Sequence, residues 1–189
     1  MNPSQHLEQA ASTTDGDAPA RAASDPSRRA GRRDRPERGT RTGFSTGACS
    51  AAAARACALG LVQGQVPDSV ESLLANGQRV SFAIHDGRIE GEGLARVAHG
   101  YVQKFAGDDP DCTDGAHLTV DLRILPGQAG QVQFRAGPGV GTVTLPGLGL
   151  EIGGPAINPV PRANITQNLQ EVAGPLLAEH GLEVTVSVP

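Results

Sequence analysis

Tryptophan is absent from the 189 residues, tyrosine occurs once, phenylalanine four times and methionine once. A core without large aromatics must be built from Val, Leu, Ile and Ala, which suits a sheet packed against alanine-rich helices. No run approaches the 18 or so consecutive apolar residues that a membrane-spanning helix needs. Three cysteines, Cys49, Cys57 and Cys112, form no close pair and no zinc-ligand spacing. An odd, unpaired count points to reduced thiols and a cytoplasmic setting. Excess positive charge is lacking too. Seven of the sixteen basic residues and six of the twenty acids fall in residues 1–40, leaving nine basic and fourteen acidic residues beyond them. A nucleic-acid-binding surface needs the opposite balance, so nucleic acid is not an expected partner.

Residues 1–40 hold Met1 and Leu7 as their only large apolar side chains. Such a stretch cannot bury enough surface to offset ordering entropy and is expected to be a disordered tail. Its interspersed acids and missing apolar core argue against a signal peptide.

What is present begins at residues 41–54, Arg-Thr-Gly-Phe-Ser-Thr-Gly-Ala-Cys-Ser-Ala-Ala-Ala-Ala. Ser45 or Thr46 is a good N-cap, alanine over 47–59 is the best helix former, and Gly60 is a natural stop. Hydroxyls, unpaired backbone N–H groups and the positive end of a helix dipole then meet at one point, which favours an anion. Thr42, Gly43, Ser45, Thr46, Gly47 and Ala48 are the residues concerned. The glycines are not followed by Lys and Ser/Thr, so this is not a nucleotide-hydrolase phosphate loop.

Strand signals follow. Residues 69–75 and 78–84 flank Asn76-Gly77, a strong hairpin signal, and Asp86-Gly87 reads as a second turn. Residues 88–97, 100–106, 116–125 and 131–135 read as extended. The loop 107–115 carries Asp108, Asp109 and Asp111. Its acids do not match a calcium loop, and three within four residues predict one raised pKa, suited to a general base or a cationic ligand. Residues 137–161 are dominated by Gly and Pro, including Gly137, Gly139 and Gly141. Pro138 and the lack of a following helix exclude a dinucleotide fingerprint. Glycine there lets backbone approach a flat ligand, and the recurrent apolar residues of the loop predict that it is ordered. A second helix is expected over 162–179, kinked at Gly174-Pro175, and a final strand over 182–188. His6, His85, His99, His117 and His180 are scattered, and no metal ligand set or Ser-His-Asp arrangement can be read from them.

Three segments, 41–54, 107–115 and 137–162 ending Gly-Gly-Pro-Ala-Ile-Asn-Pro-Val-Pro-Arg, together with the closing strand, resemble in order and spacing the cobalt-precorrin-5B (carbon 1)-methyltransferase family, CbiD. The resemblance covers 41–189. It implies transfer of a methyl group from S-adenosylmethionine, as co-substrate, to carbon 1 of a cobalt-bound tetrapyrrole. The product would be cobalt-precorrin-6A on the anaerobic route to cobalamin, with cobalt entering only as part of the substrate. Arg41, Thr42, Gly43, Ser45, Thr46, Gly47, Asn158 and Arg162 are then expected to meet substrate carboxylates. Gly137, Gly139 and Gly141 would line the macrocycle, and Asp108, Asp109 and Asp111 would serve the sulfonium or a proton. Phe105 departs from the family pattern, where an acid often stands.

The family is about twice as long, so the chain is expected to be incomplete at its C-terminus. The alternative reading is a non-catalytic tetrapyrrole- or anion-binding fragment. The expected fold is α+β: a mixed, mostly antiparallel sheet with at least two helices on one face, behind the tail. A homo-oligomer is an expected partner if 182–188 forms an unpaired apolar edge.

Overall fold

The computed structural model describes residues 43–189 apart from Asp109, Pro110 and Leu148. The expected tail, Arg41, Thr42 and Asp109 lie outside the described residues. The elements run α1 (Thr46–Gln63), β1 (Ser69–Leu73), β2 (Arg79–Ala83), β3 (His85–Glu90), β4 (Val97–Gln103), β5 (His117–Leu125), β6 (Val132–Ala136), α2 (Pro159–Glu179) and β7 (Gly181–Ser187). The α+β class is as the sequence suggested. The strands, however, form two sheets: a β1–β2 hairpin and a five-stranded sheet in the order β3-β4-β5-β7-β6, antiparallel except for the β6–β7 pair.

The alternation read from the sequence sets the faces. Val120, Leu122 and Ile124 of β5 lie opposite Val186, Val184 and Leu182 of β7 in register, Leu118 lies opposite Val102 of β4, and all are buried. Together with Ala98 and Val102 of β4 they join α1 and α2 in one apolar core. The opposite face carries the polar set, including Glu183, which is buried beneath Arg123 and Arg135 as their shared ion-pair partner.

Helix α1 is buried on nearly every side, with Ala51 to Ala54, Ala56 and Ala58 fully enclosed between the sheet and α2. Side chains of one carbon let the neighbouring elements approach closely, and this explains a core with so few aromatics.

Several boundaries differ from expectation for tertiary reasons. Gly60 does not stop α1; the helix runs to Gln63 and closes on Gly64 in the left-handed conformation. Gly60 is small because a side chain there would strike Val66 Cγ2 at 2.6 Å. Asp86-Gly87 is no hairpin turn. Asp86, at φ 51°, marks a bulge inside β3 where the pairing with β4 shifts. A turn and a short 3₁₀ segment, Gly93–Ala95, divide the stretch read as extended over 88–97. Helix α2 starts three residues earlier than expected, at Pro159, because its missing N–H falls where the first turn has no use for one. The kink is where Pro175 puts it, with Ala173 off helical geometry at φ −128°, ψ 24°.

Candidate functional site

The start of α1 is where the sequence segments converge. Ser45 is the N-cap, and its hydroxyl accepts a hydrogen bond from the Ala48 N–H at 3.1 Å. That bond uses one of the N–H groups expected to face a ligand. Among the described residues the N–H groups of Thr46 and Gly47 keep no backbone partner. Gly43 lies flat on the segment before the acidic loop: a Cβ there would sit 2.0 Å from the Ala106 carbonyl carbon. Beside it, the Phe44 N–H donates to the Phe105 carbonyl at 2.8 Å, and the Phe44 ring meets Phe82 edge-on at 4.8 Å. Gly47 receives the Pro161 ring, whose Cγ would lie 3.0 Å from a Cβ. Thus 43–48, 104–116 and 139–161 come together around one helix start.

Two clefts open there and share Thr46, Gly47 and Pro161. The larger, about 630 Å³, extends along Gly43 to Ala48 toward Leu74, Asn76, Val80 and Asn164. The smaller, about 290 Å³, lies between Ser50, Thr113, Gly139 to Gly141, Asn158 and the ends of β5 and β7. No Asp, Glu, Lys or Arg among the described residues lines either cleft.

The acidic loop is built differently from expectation. Lys104, almost wholly buried, donates to Asp111 Oδ2 at 2.6 Å. The Thr113 N–H and hydroxyl donate to Asp111 Oδ1 at 2.8 and 2.6 Å. These bonds hold the Asp111 carboxyl far below the usual carboxylate range, led by Lys104 and followed by Thr113. The expected raised pKa is therefore not found at Asp111, which is fixed as an anion and is unsuited to be a general base. Asp114 Oδ1 accepts from the Ala106 N–H at 2.8 Å and braces the loop against Gly43. Asp108 is exposed. None of these acids lines a cleft.

The Gly/Pro segment is held by backbone bonds and by part of its apolar set, with Val143 buried and Val140 packed on the core. Val143 exchanges hydrogen bonds with Gly154 and Gly153, and Ala156 N–H donates to Gly141, while Leu145 and Ile152 are exposed. The space at Gly137 and Gly139 is filled by the chain itself. A Cβ at Gly137 would lie 2.0 Å from Ser187 Oγ, and one at Gly139 would lie 1.9 Å from the Val188 carbonyl oxygen. Gly139 and Gly141 still border the smaller cleft. Asn158 caps α2 in an extended conformation, but its side chain makes no capping bond. Arg162 donates Nε to the Ile157 carbonyl and Nη2 to the Pro155 carbonyl, both at 2.8 Å, and lies over the Phe134 ring at 5.4 Å. It ties the glycine segment to α2; among the described residues no carboxylate pairs with it.

Sequence reasoning missed three residues here. Lys104 and Asp114 act through the fold, and their partners cannot be read locally. Ser50, buried against the smaller cleft, was readable only as one more small residue in an alanine helix.

A helix start flanked by two clefts with no acid among their described lining residues, on an α+β scaffold, is the class of domain the fold defines. The CbiD family model matches residues 33–189, and the chain belongs to that family. It is 64% identical over 156 residues to a protein of Polaromonas sp. named cobalt-precorrin-5B C(1)-methyltransferase, covering 80% of this chain and 42% of that one. A protein of the same name from Variovorax paradoxus is 66% identical over 152 residues, covering 80% and 40%. The 1.9 Å crystal structure of a cobalamin biosynthesis protein (cbiD) from Archaeoglobus fulgidus shares the fold, with a TM-score of 0.50 and 22% identity over 77% of this chain and 43% of that one. The chain thus spans about two fifths of the length of the curated relatives it matches.

Proposed function

We propose that this chain holds the tetrapyrrole in a methyl transfer from S-adenosylmethionine to carbon 1 of cobalt-precorrin-5B, giving cobalt-precorrin-6A in cobalamin biosynthesis. The transfer breaks the sulfonium–methyl bond and leaves its electron pair on sulfur. Carbon 1 of the macrocycle supplies the pair for the new bond, and S-adenosylhomocysteine leaves. The supporting observation is the pair of clefts about the α1 start, flanked by the ordered glycine segment and lacking acids that would repel the substrate's acetate and propionate groups. Methyl transfer is mainly a matter of alignment, so a rigid, backbone-laced wall suits it. Cobalt belongs to the substrate. Asp111 is committed to Lys104; within this proposal Asp108 and Asp109 are the acids that serve the sulfonium. A cytoplasmic setting accords with three free cysteines, and no described helix is long and apolar enough to cross a membrane.

The second reading, a substrate-holding module without its own S-adenosylmethionine site, is favoured by the two-fifths coverage of the relatives. Calorimetry separates the two. S-adenosylmethionine binding to the purified chain, with turnover on a cobalt tetrapyrrole, supports the complete enzyme activity. Tetrapyrrole binding without S-adenosylmethionine binding supports the module. Failure of a folded chain to bind either rejects both. On the first reading, Asp108→Asn or Asp109→Asn lowers turnover or co-substrate affinity; unchanged values in both variants remove these acids from the mechanism.

A further inference from the structure

The smaller cleft has a feature that the helix start alone does not explain. Ser50, one turn into α1, is 4% exposed and lines it. Among the described residues its hydroxyl makes no hydrogen bond, and it opens on the cleft rather than being sealed from it. A hydroxyl left open to a cleft without a protein partner is free to donate to whatever occupies the cleft, ligand or solvent. Thr46 and Asn158 border the same space with polar side chains that do not cap their own helices. No carboxylate opposes an anion there: among the described residues no Asp or Glu lines the cleft, and nearby Asp111 takes the Thr113 hydroxyl and is answered by Lys104. The remaining walls are Leu118, Val140, Ile165 and Val186. Donors on apolar walls at the positive end of an 18-residue helix select a compact anion with an aliphatic stem.

We propose that this cleft is a carboxylate subsite, with the Ser50 hydroxyl as its buried donor and the α1 start as its electrostatic floor. The ligand class is a carboxylate on a short alkyl arm. This deepens the tetrapyrrole reading and rests on it for the source of that carboxylate. An acetate or propionate arm of the macrocycle is one source, and the amino-acid end of S-adenosylmethionine is the other.

The test compares two pairs of probes on the purified chain, by calorimetry and by amide chemical shifts of Thr46, Gly47 and Ser50. The first pair is cobyrinic acid, a cobalt corrin with free acetate and propionate arms, and the same corrin with its arms amidated. The second is S-adenosylmethionine and its decarboxylated form. The expected result is that the acid of one pair shifts these amides and its carboxylate-free counterpart does not. The pair that responds names the source. Ser50→Ala should weaken that binding about tenfold, as for a lost hydrogen bond to a charged group. Gly141→Ala, which narrows the cleft with its Cβ 3.8 Å from Ala156 and no backbone strain, should weaken it independently. Equal binding of acid and amide overturns the carboxylate subsite while leaving a tetrapyrrole site intact. Unaltered affinity in both folded variants overturns it as well. Absence of any binding overturns both the subsite and the reading beneath it.

Discussion

Single residues in this domain owe their identity to what lies opposite them. Gly43 and Gly141 look alike in sequence, yet one is pressed against backbone and the other has room for a Cβ in ordinary contact with Ala156. Gly43→Ala would drive a methyl into the Ala106 carbonyl, and the resulting shift should cost about 3 kcal/mol, the upper end for overpacking. Gly141→Ala should change stability by less than about 1 kcal/mol. Urea unfolding of both variants checks this; similar losses would mean that the contact at Ala106 relaxes freely. Asp111 carries a pH signature. Its folded-state pKa is depressed, chiefly by Lys104, so its contribution is complete above the ordinary carboxylate range near 4 and disappears as pH falls below it. Asp111→Asn should therefore lower stability at neutral pH and flatten the loss on acidification. Parallel stability curves for variant and parent would show that the Lys104 bond adds nothing. The thiols behave oppositely. Burial pushes Cys49 up to about 11 and Cys57 higher still, with Lys104 pulling Cys49 back only in part. Their contribution is complete below the ordinary thiol range and is lost as pH rises through the raised value. A thiol reagent at pH 8 should label exposed Cys112 at once and the other two only at the rate of unfolding. Rapid labelling of all three would contradict the packing of α1.

At the scale of elements, tertiary polar ties decide what the local pattern leaves open. Asn168, fully buried on α2, binds both backbone groups of Leu73 at the end of β1, accepting from its N–H at 3.1 Å and donating to its carbonyl at 2.9 Å. It also accepts from Ser72 Oγ at 3.1 Å, and Asn164 donates to the same Leu73 carbonyl at 2.8 Å. Asn168→Leu leaves a buried N–H and a hydroxyl unanswered and should cost about 3 kcal/mol. A chemical denaturation midpoint unchanged from the parent would sink this role. Nothing in the α2 sequence announces that tie, whereas the β1–β2 hairpin was legible because Asn76-Gly77 marks its connection, although the turn itself runs Leu74 to Gly77, whose N–H donates to the Leu74 carbonyl at 2.9 Å. The same local logic failed at Gly60 and Asp86-Gly87, where Val66 packing and a bulge set the requirement. The site follows the same division. That residues near Ser45 begin a capped helix was readable, since capping is a short-range matter. That Asp111 is claimed by a lysine seven positions back, or that Gly137 makes room for Ser187 rather than for a ligand, depends on how distant strands align.

The whole molecule hinges on its last strand. Residues 182–188 invited the expectation of an apolar edge prone to self-association, but β7 lies inside the sheet, antiparallel to β5 and parallel to β6. The edges of this sheet are instead β3 and β6. β3 is bulged and carries exposed Asp86, Arg88 and Glu90, devices that discourage strand addition. The case for a homo-oligomer built on β7 therefore falls. A different consequence follows from that position. β5 and β6 are adjacent in sequence yet touch only through β7, which arrives after the glycine segment and all of α2. Until β7 inserts, Val120, Leu122 and Ile124 on one side and Phe134 on the other have no shared surface to close upon. The sheet is thus assembled from contacts distant in the chain, whose loop-closure entropy must be met before they stabilise anything. Truncation after His180 should remove the cooperative unfolding transition altogether rather than lower its midpoint, and should expose β6 and the 137–158 loop to protease. A truncated chain that keeps a sigmoidal melt would show that α1, the hairpin and β3 to β5 form a stable core without β7. The ordered walls about the α1 start would then owe less to the closing strand than the contacts of Gly137 and Gly139 with Ser187 and Val188 require.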